Sequence, residues 1–131
     1  MAEPGQDTAQ TTLLQQWQTM KTQAESGELR METDVSDKLK GRCHTFKSRL
    51  EQMLVMADQL QYVEGFGGLR SAGYLRNKFA NKAVTDTDSA ANRLKTALDI
   101  VTVMEQTFEL CARRLEETDE STSSALGNAG V

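Results

Sequence analysis

Apolar residues recur along this chain at alternating steps of four and three over two long stretches. In the first, Leu39, Cys43, Phe46, Leu50, Met53, Ala57 and Leu60 keep that rhythm, with Lys38, Lys40, Lys47, Arg49, Glu51 and Gln52 falling between them. In the second, Ala90, Leu94, Ala97, Val101, Met104, Phe108, Cys111 and Leu115 do the same. Stripes of this a/d kind mark amphipathic helices whose apolar seam faces another helix. Leu54 and Met56, together with Met53, widen the first stripe. Methionine adapts to varied surfaces, so this flank reads either as additional core or as a partner-facing surface.

A shorter apolar face, Leu13, Leu14, Trp17, Met20 and Ala24, precedes the first stripe, with Thr11 or Thr12 placed to cap it. Ser26-Gly27 interrupts the pattern, and Thr33 or Asp34 offers a cap for the next helix, with Asp37 in its first turn. Between the two long stretches lies Gly65-Phe66-Gly67-Gly68-Leu69. Glycine in a helix interior costs about 1 kcal/mol relative to alanine, so this cluster ends one helix and begins a bend. After it, Ser71 is placed as a cap, Leu75, Phe79 and Ala83 line up at spacing four, and Val84-Thr85-Asp86-Thr87-Asp88 interrupts, with Asp86 or Asp88 able to cap a restart.

The predicted fold is all-α: an antiparallel hairpin of long helices, bent at 65–69, in a domain covering residues 12–120. Phe66 is an apolar plug in the bend. Residues 1–11 and 121–131, rich in small and polar side chains, are expected to be disordered tails. A run of acids, Glu116, Glu117, Asp119 and Glu120, matches a helix C-terminus poorly, because the helix dipole disfavours negative charge there. In this hairpin Trp17, the single tryptophan, falls opposite Glu117. It reads equally as packing there or as an interface anchor of the kind tryptophan often supplies.

Composition narrows what such a hairpin can be. With 131 residues, 38% of them hydrophobic and 5% aromatic, the chain suits one domain with a thin seam between helices. Apolar surface left over from that seam calls for a partner, so the hairpin is expected to pair into a four-helix bundle. The net charge is −4 and no run of Lys or Arg occurs, which argues against a nucleic-acid binder. No stretch approaches the ~18 apolar residues of a membrane span. The N-terminus lacks the basic region and apolar core of a classical signal peptide.

Catalytic and metal-binding patterns are missing. His44 is the single histidine, and it neighbours Cys43, but adjacent helical positions point about 100° apart and do not share a face. The same geometry rules out a Cys–His nucleophile pair. Cys43 and Cys111 both fall at apolar helical positions and read as buried free thiols. The pairs Asp34 with Asp37 and Asp86 with Asp88 suit helix caps better than acid–base work. The glycine cluster lacks the Gly-Lys-Ser/Thr ending and preceding strand of a phosphate loop. The chain is expected to be no enzyme and to take no cofactor or metal.

A helix, an aromatic-x-Gly turn and a second helix, in a short acidic chain without a signal peptide, resemble the WXG-type proteins of bacterial type VII (ESX) secretion. Phe66-Gly67-Gly68 stands at the Trp-x-Gly position, with Phe in place of Trp. Leu115-Glu116-Glu117-Thr118-Asp119 stands where that family carries a Tyr-x-x-x-Asp/Glu export signal, with Leu115 for Tyr and Asp119 as the acid. The stretch from Gly65 to Ala72, followed by Phe79-Ala80-Asn81-Lys82-Ala83, is similar to a variant subgroup with Phe-Gly and a following serine cap. The resemblance covers roughly residues 33–120. It implies a small helical hairpin that forms a homo- or heterodimer with another such protein, with a secretion ATPase as a further partner. It also implies a secreted or cell-surface location reached without a signal peptide. Trp17, Leu54 and Met56 are the candidate partner interface. The rival expectation is a cytoplasmic helical adaptor, chaperone-like or toxin-neutralising.

Overall fold

The computed structural model describes residues 8–62, Gly68 and 70–129, and among them every regular element is helical. Helix α1 spans Thr8–Glu25, α2 Thr33–Gln59, α3 Arg70–Ala80 and α4 Ala90–Ala129. A 3-10 turn, Leu60–Tyr62, extends α2, and one wide π turn, Asn81–Thr85, follows α3. Of the expected bend, Gly65, Phe66, Gly67 and Leu69 lie outside the described residues; Gly68 is an exposed bend.

Helix α1 is not the outer half of a long arm. It ends at Gly27, whose φ of +86° is a left-handed conformation that glycine adopts without penalty. The Gly27 N–H donates to Ala24 O (3.2 Å) and the Glu28 N–H to Gln23 O (2.9 Å). This is the paired closure of a Schellman cap. The chain then reverses. The Met31 N–H donates to Cys111 O (3.1 Å), tying the turn to α4. From there α2 runs back antiparallel to α4: Thr33 donates to Glu116 (2.6 Å), Ser36 to Phe108 O (2.9 Å), and Lys47 meets Glu105 (3.8 Å). Helix α1 runs parallel to α4, from Gln10 donating to Arg93 O (3.0 Å) through Trp17 on Phe108. Both α1 and α2 pack on α4, and their backbones do not approach each other. The result is a layer of three helices with α4 in the middle.

The expected hairpin is corrected at three places. Trp17 meets Phe108, not Glu117, because α1 folds back at Gly27 instead of continuing α2. A tight bend at 65–69 would set Cys43 opposite Ala91 and Lys47 near Thr87. Instead Cys43 lies among Leu50, Val101, Leu94, Ala97, Leu98, Met104 and Phe108, and Lys47 pairs with Glu105. The register is displaced because the return does not happen in a tight bend at 65–69. It occupies everything from Leu60 to Ser89, including α3, which packs on the turns at either side of it.

The caps are displaced as well. Thr33 bonds Glu116 instead of capping α2, whose N-cap position is Glu32 with no side-chain bond. Ser71 falls inside the first turn of α3. The restart of α4 is capped by Ser89: its Oγ accepts the Asn92 N–H (3.2 Å) and donates to Val84 O (3.2 Å). Asp86 and Asp88 instead take up Lys82 (3.7 and 3.1 Å). Both ends of the fold are also longer than expected. Helix α1 already includes residues 8–11, and α4 continues to Ala129, well into the segment read as a C-terminal tail. The acids at Glu116, Glu117, Asp119 and Glu120 are therefore internal to α4, several turns from its C-terminus, where the dipole penalty has faded.

Candidate partner-binding surface

The surface of interest follows from how α2 meets α4. Its buried residues are Ser36, Cys43, Leu50 and Ala57, one every seven positions and mostly small, so the two helices can approach closely. Each turn of α2 advances about 100° per residue. Lys40, Lys47 and Leu54, four positions after a seam residue, are turned about 40° to one side, and all three are half-buried. Phe46, Met53 and Leu60, three positions after a seam residue, are turned about 60° to the other side. They are 51, 49 and 51% exposed. The predicted a/d stripe is thus split. One of its two columns packs, and the other, half-buried at Leu39, lies open from Phe46 onward.

The two sides of the seam differ chemically. On one, the Lys47 ammonium meets the Glu105 carboxylate at 3.8 Å. Since Met104 and Phe108 turn the other way on α4, they lie on the side of Phe46 and Met53. Both are half-buried against the core cluster. Helix α1 prolongs that side: the Trp17 ring stands edge-on to Phe108, with centroids 5.6 Å apart and planes at 83°, a favoured aromatic geometry. One side of the layer is therefore apolar across all three helices, and the other carries the ion pair. The charges of α2 sort in the same way. Arg42 and Arg49 border Phe46 and Met53, while Glu51 and Asp58 fall toward the Lys47 side.

The expected interface residues separate on this geometry. Met56 is 60% exposed and borders the open column. Leu54 is half-buried on the packed side of α2, so it belongs to the seam. Trp17 is half-buried on Phe108 of its own chain. Phe46 and Leu60, expected in the seam, are open, and so is Met53, which belongs both to the stripe and to the flank left as core or partner-facing. The signal that distinguishes the columns is the seven-residue spacing of small residues at Ser36, Cys43 and Ala57. Leu115 is half-buried and Asp119 exposed, one turn apart on α4. Phe66 and Gly67 of the turn motif lie outside the described residues.

Both cysteines are buried and free. Burial, and then the nearby Glu105 carboxylate, push the Cys43 thiol up, with Lys47 pulling the other way; burial pushes up Cys111. The unfolded chain therefore releases thiol protons at lower pH than the folded one. Stability present below the ordinary thiol value of about 8.5 is lost as pH rises beyond it. In native protein at pH 8, iodoacetamide should label both thiols slowly, and addition of denaturant should make labelling fast. Rapid native labelling of Cys43 would place it outside the seam.

Among the described residues no group of three or more His, Cys, Asp or Glu side chains is placed to hold a metal ion, and no helix is long and apolar enough to cross a membrane. No protein-family profile matches this chain, and neither a curated protein nor a solved structure matches it.

Proposed function

We propose that this chain is a small non-enzymatic helical protein that pairs with another helical hairpin protein through the apolar side of its three-helix layer. The long helices α2 and α4 would supply half of a four-helix bundle. The role that fits is a type VII export substrate or the dimer partner of one, carried out of the cell without a signal peptide. The observation that carries the reading is the open column Phe46, Met53 and Leu60, bordered by the half-buried Met104, Phe108 and Trp17. An apolar surface that runs across three helices is what a helical partner covers. Leu115 and Asp119 support the export side of the proposal, since an apolar knob and an exposed carboxylate one turn apart share a face.

Export from the native host is the test. The protein should appear in culture filtrate and disappear when the secretion ATPase is deleted. Asp119→Ala removes no buried surface, so stability should change by no more than ~0.5 kcal/mol while export falls sharply. Retention with the cells in both strains would replace this reading with the cytoplasmic adaptor. Undiminished export of the Asp119→Ala chain would mean that it travels on its partner's signal.

A further inference from the structure

The open side of α2 can be read residue by residue, because each residue advances about 100° around the helix. Between about 40° and 120° from the seam on that side stand Val35, Met56 and the column Phe46, Met53 and Leu60, each at least 43% exposed. The same arc holds Lys38, Arg42 and Arg49, all exposed. It holds no acid. Asp37, Glu51 and Asp58 fall on the Lys47 side, and Asp34 lies at the back of the helix. Among the described residues, ion pairs take up Lys47, Lys82, Arg113 and Arg114, and none of the cations in the arc.

Alongside α2, helices α1 and α4 bring no acid to this side. The charges of α1 are Lys21 and Glu25, which line a depression with Glu109 and Arg113 of α4. Glu109 and Glu116 share the side of Glu105, and Asp99 faces away from the seam. Phe108 touches Trp17 of α1 and packs on the α2 seam, while the backbones of α1 and α2 stay apart. The apolar side therefore has a floor on α4, a helix at either edge, and uncompensated cations along the α2 edge.

We propose that the partner in the pairing above, on which this inference rests, is an acidic amphipathic helix of a different chain, with Asp or Glu bordering its apolar stripe. A guanidinium offers a carboxylate two parallel donors, so Arg42 and Arg49, two turns apart, fix such a helix in register. A second copy presents the same cations and no acid. Two-fold pairing of this side sets cations into a like-charge contact, which works against the match. A flat anionic leaflet meets the cations but leaves Met104 and Phe108 uncovered between the two edges. A helix laid along the floor covers them.

Two designed peptides of about four heptads test the charge selection: both carry Leu at a and d, one Glu and the other Lys at e and g, so neither pairs with itself at neutral pH. Neither contains tryptophan, so Trp17 fluorescence of the full chain reports binding. The glutamate probe should bind about tenfold more tightly or better, because an exposed pair contributes up to about fivefold and lysine turns attraction into repulsion at each cation. The net charge of −4 favours the lysine probe elsewhere on the surface, so this order reports the local field. Arg42→Glu with Arg49→Glu should reverse the order with circular dichroism unchanged, and Phe46→Asp should weaken both probes. Binding of neither probe would overturn the proposal. Equal binding of both, lost in Phe46→Asp, would overturn the acidic partner and leave helix pairing standing; export decides that reading separately. A homodimer in sedimentation that Phe46→Asp dissociates would replace the partner with a second copy. Binding to phosphatidylglycerol vesicles without binding of the glutamate probe would replace it with a leaflet.

Discussion

Leu50→Asp is expected to unfold this protein. Leu50 is 4% exposed and packs with Cys43 and Val101 at the centre of the α2–α4 seam. An aspartate there either buries an unpaired carboxylate or forces the seam apart, and the cost is about 4 kcal/mol or more. A domain of this size has roughly 5–15 kcal/mol in total. Circular dichroism should show most of the helical signal lost, or a urea midpoint moved far down. The informative companion is Met53→Asp, three residues later on the same helix. Met53 is half exposed, so the cost should stay within about 1 kcal/mol. If the seam were the evenly alternating a/d stripe of the sequence, both substitutions would be damaging. If Leu50→Asp left the midpoint unchanged, the seam itself would be misplaced.

The second large effect belongs to Trp17→Ala. Trp17 is the principal aromatic contact of α1 on α4, and α1 has a single fully buried residue besides, Ala24. Removing a half-buried indole together with its edge-on ring contact should cost about 2–3 kcal/mol. The loss should be local: α1 leaves α4 while α2 and α4 stay together. Spin labels at Lys21 and Glu109, which line the same surface depression, should report a close pair in the wild-type chain and a broad, long distance in the variant. A long distance in the wild type would restore the collinear arm in which Trp17 faces Glu117.

Helix type was readable from the sequence, and the path of the chain was not. The stripes of α2 and α4 predicted two long helices, because period and burial agree at Cys43, Leu50, Ala57 and Val101. The all-α class followed. The fold-back at Gly27 was visible only as a break, since a glycine marks where a helix stops but not where the chain goes next. The displaced register came from α3. Leu75, Phe79 and Ala83 have a helical rhythm, which suggested a second arm, yet only Ala83 is buried among the three. The candidate surface was hidden for a related reason. Phe46 and Met53 look like core by hydropathy, and only the small residues at Ser36, Cys43 and Ala57 betray which column lets the backbones approach. Net charge concealed the run from Arg70 to Thr85, which holds four cations and no acid, because the sum of −4 averages it against acids elsewhere in the chain.

Helix α4 is about 60 Å long by its 40 residues, against about 40 Å for the 27 of α2. The difference overhangs at the C-terminal end. Residues 119–127 are exposed throughout, Leu126 to 67%. A lone segment of that length is below the ~12–15 residues at which isolated helices begin to hold in water. Geometrically α4 is a single rod; thermodynamically it has two parts. The portion against α1 and α2 opens only with the whole fold, whereas the overhang melts and reforms on its own at little free-energy cost. Unfolding therefore has a built-in starting point in the exposed turns after Asp119. A protease that reaches those turns meets yielding backbone before it meets any resistance from the core.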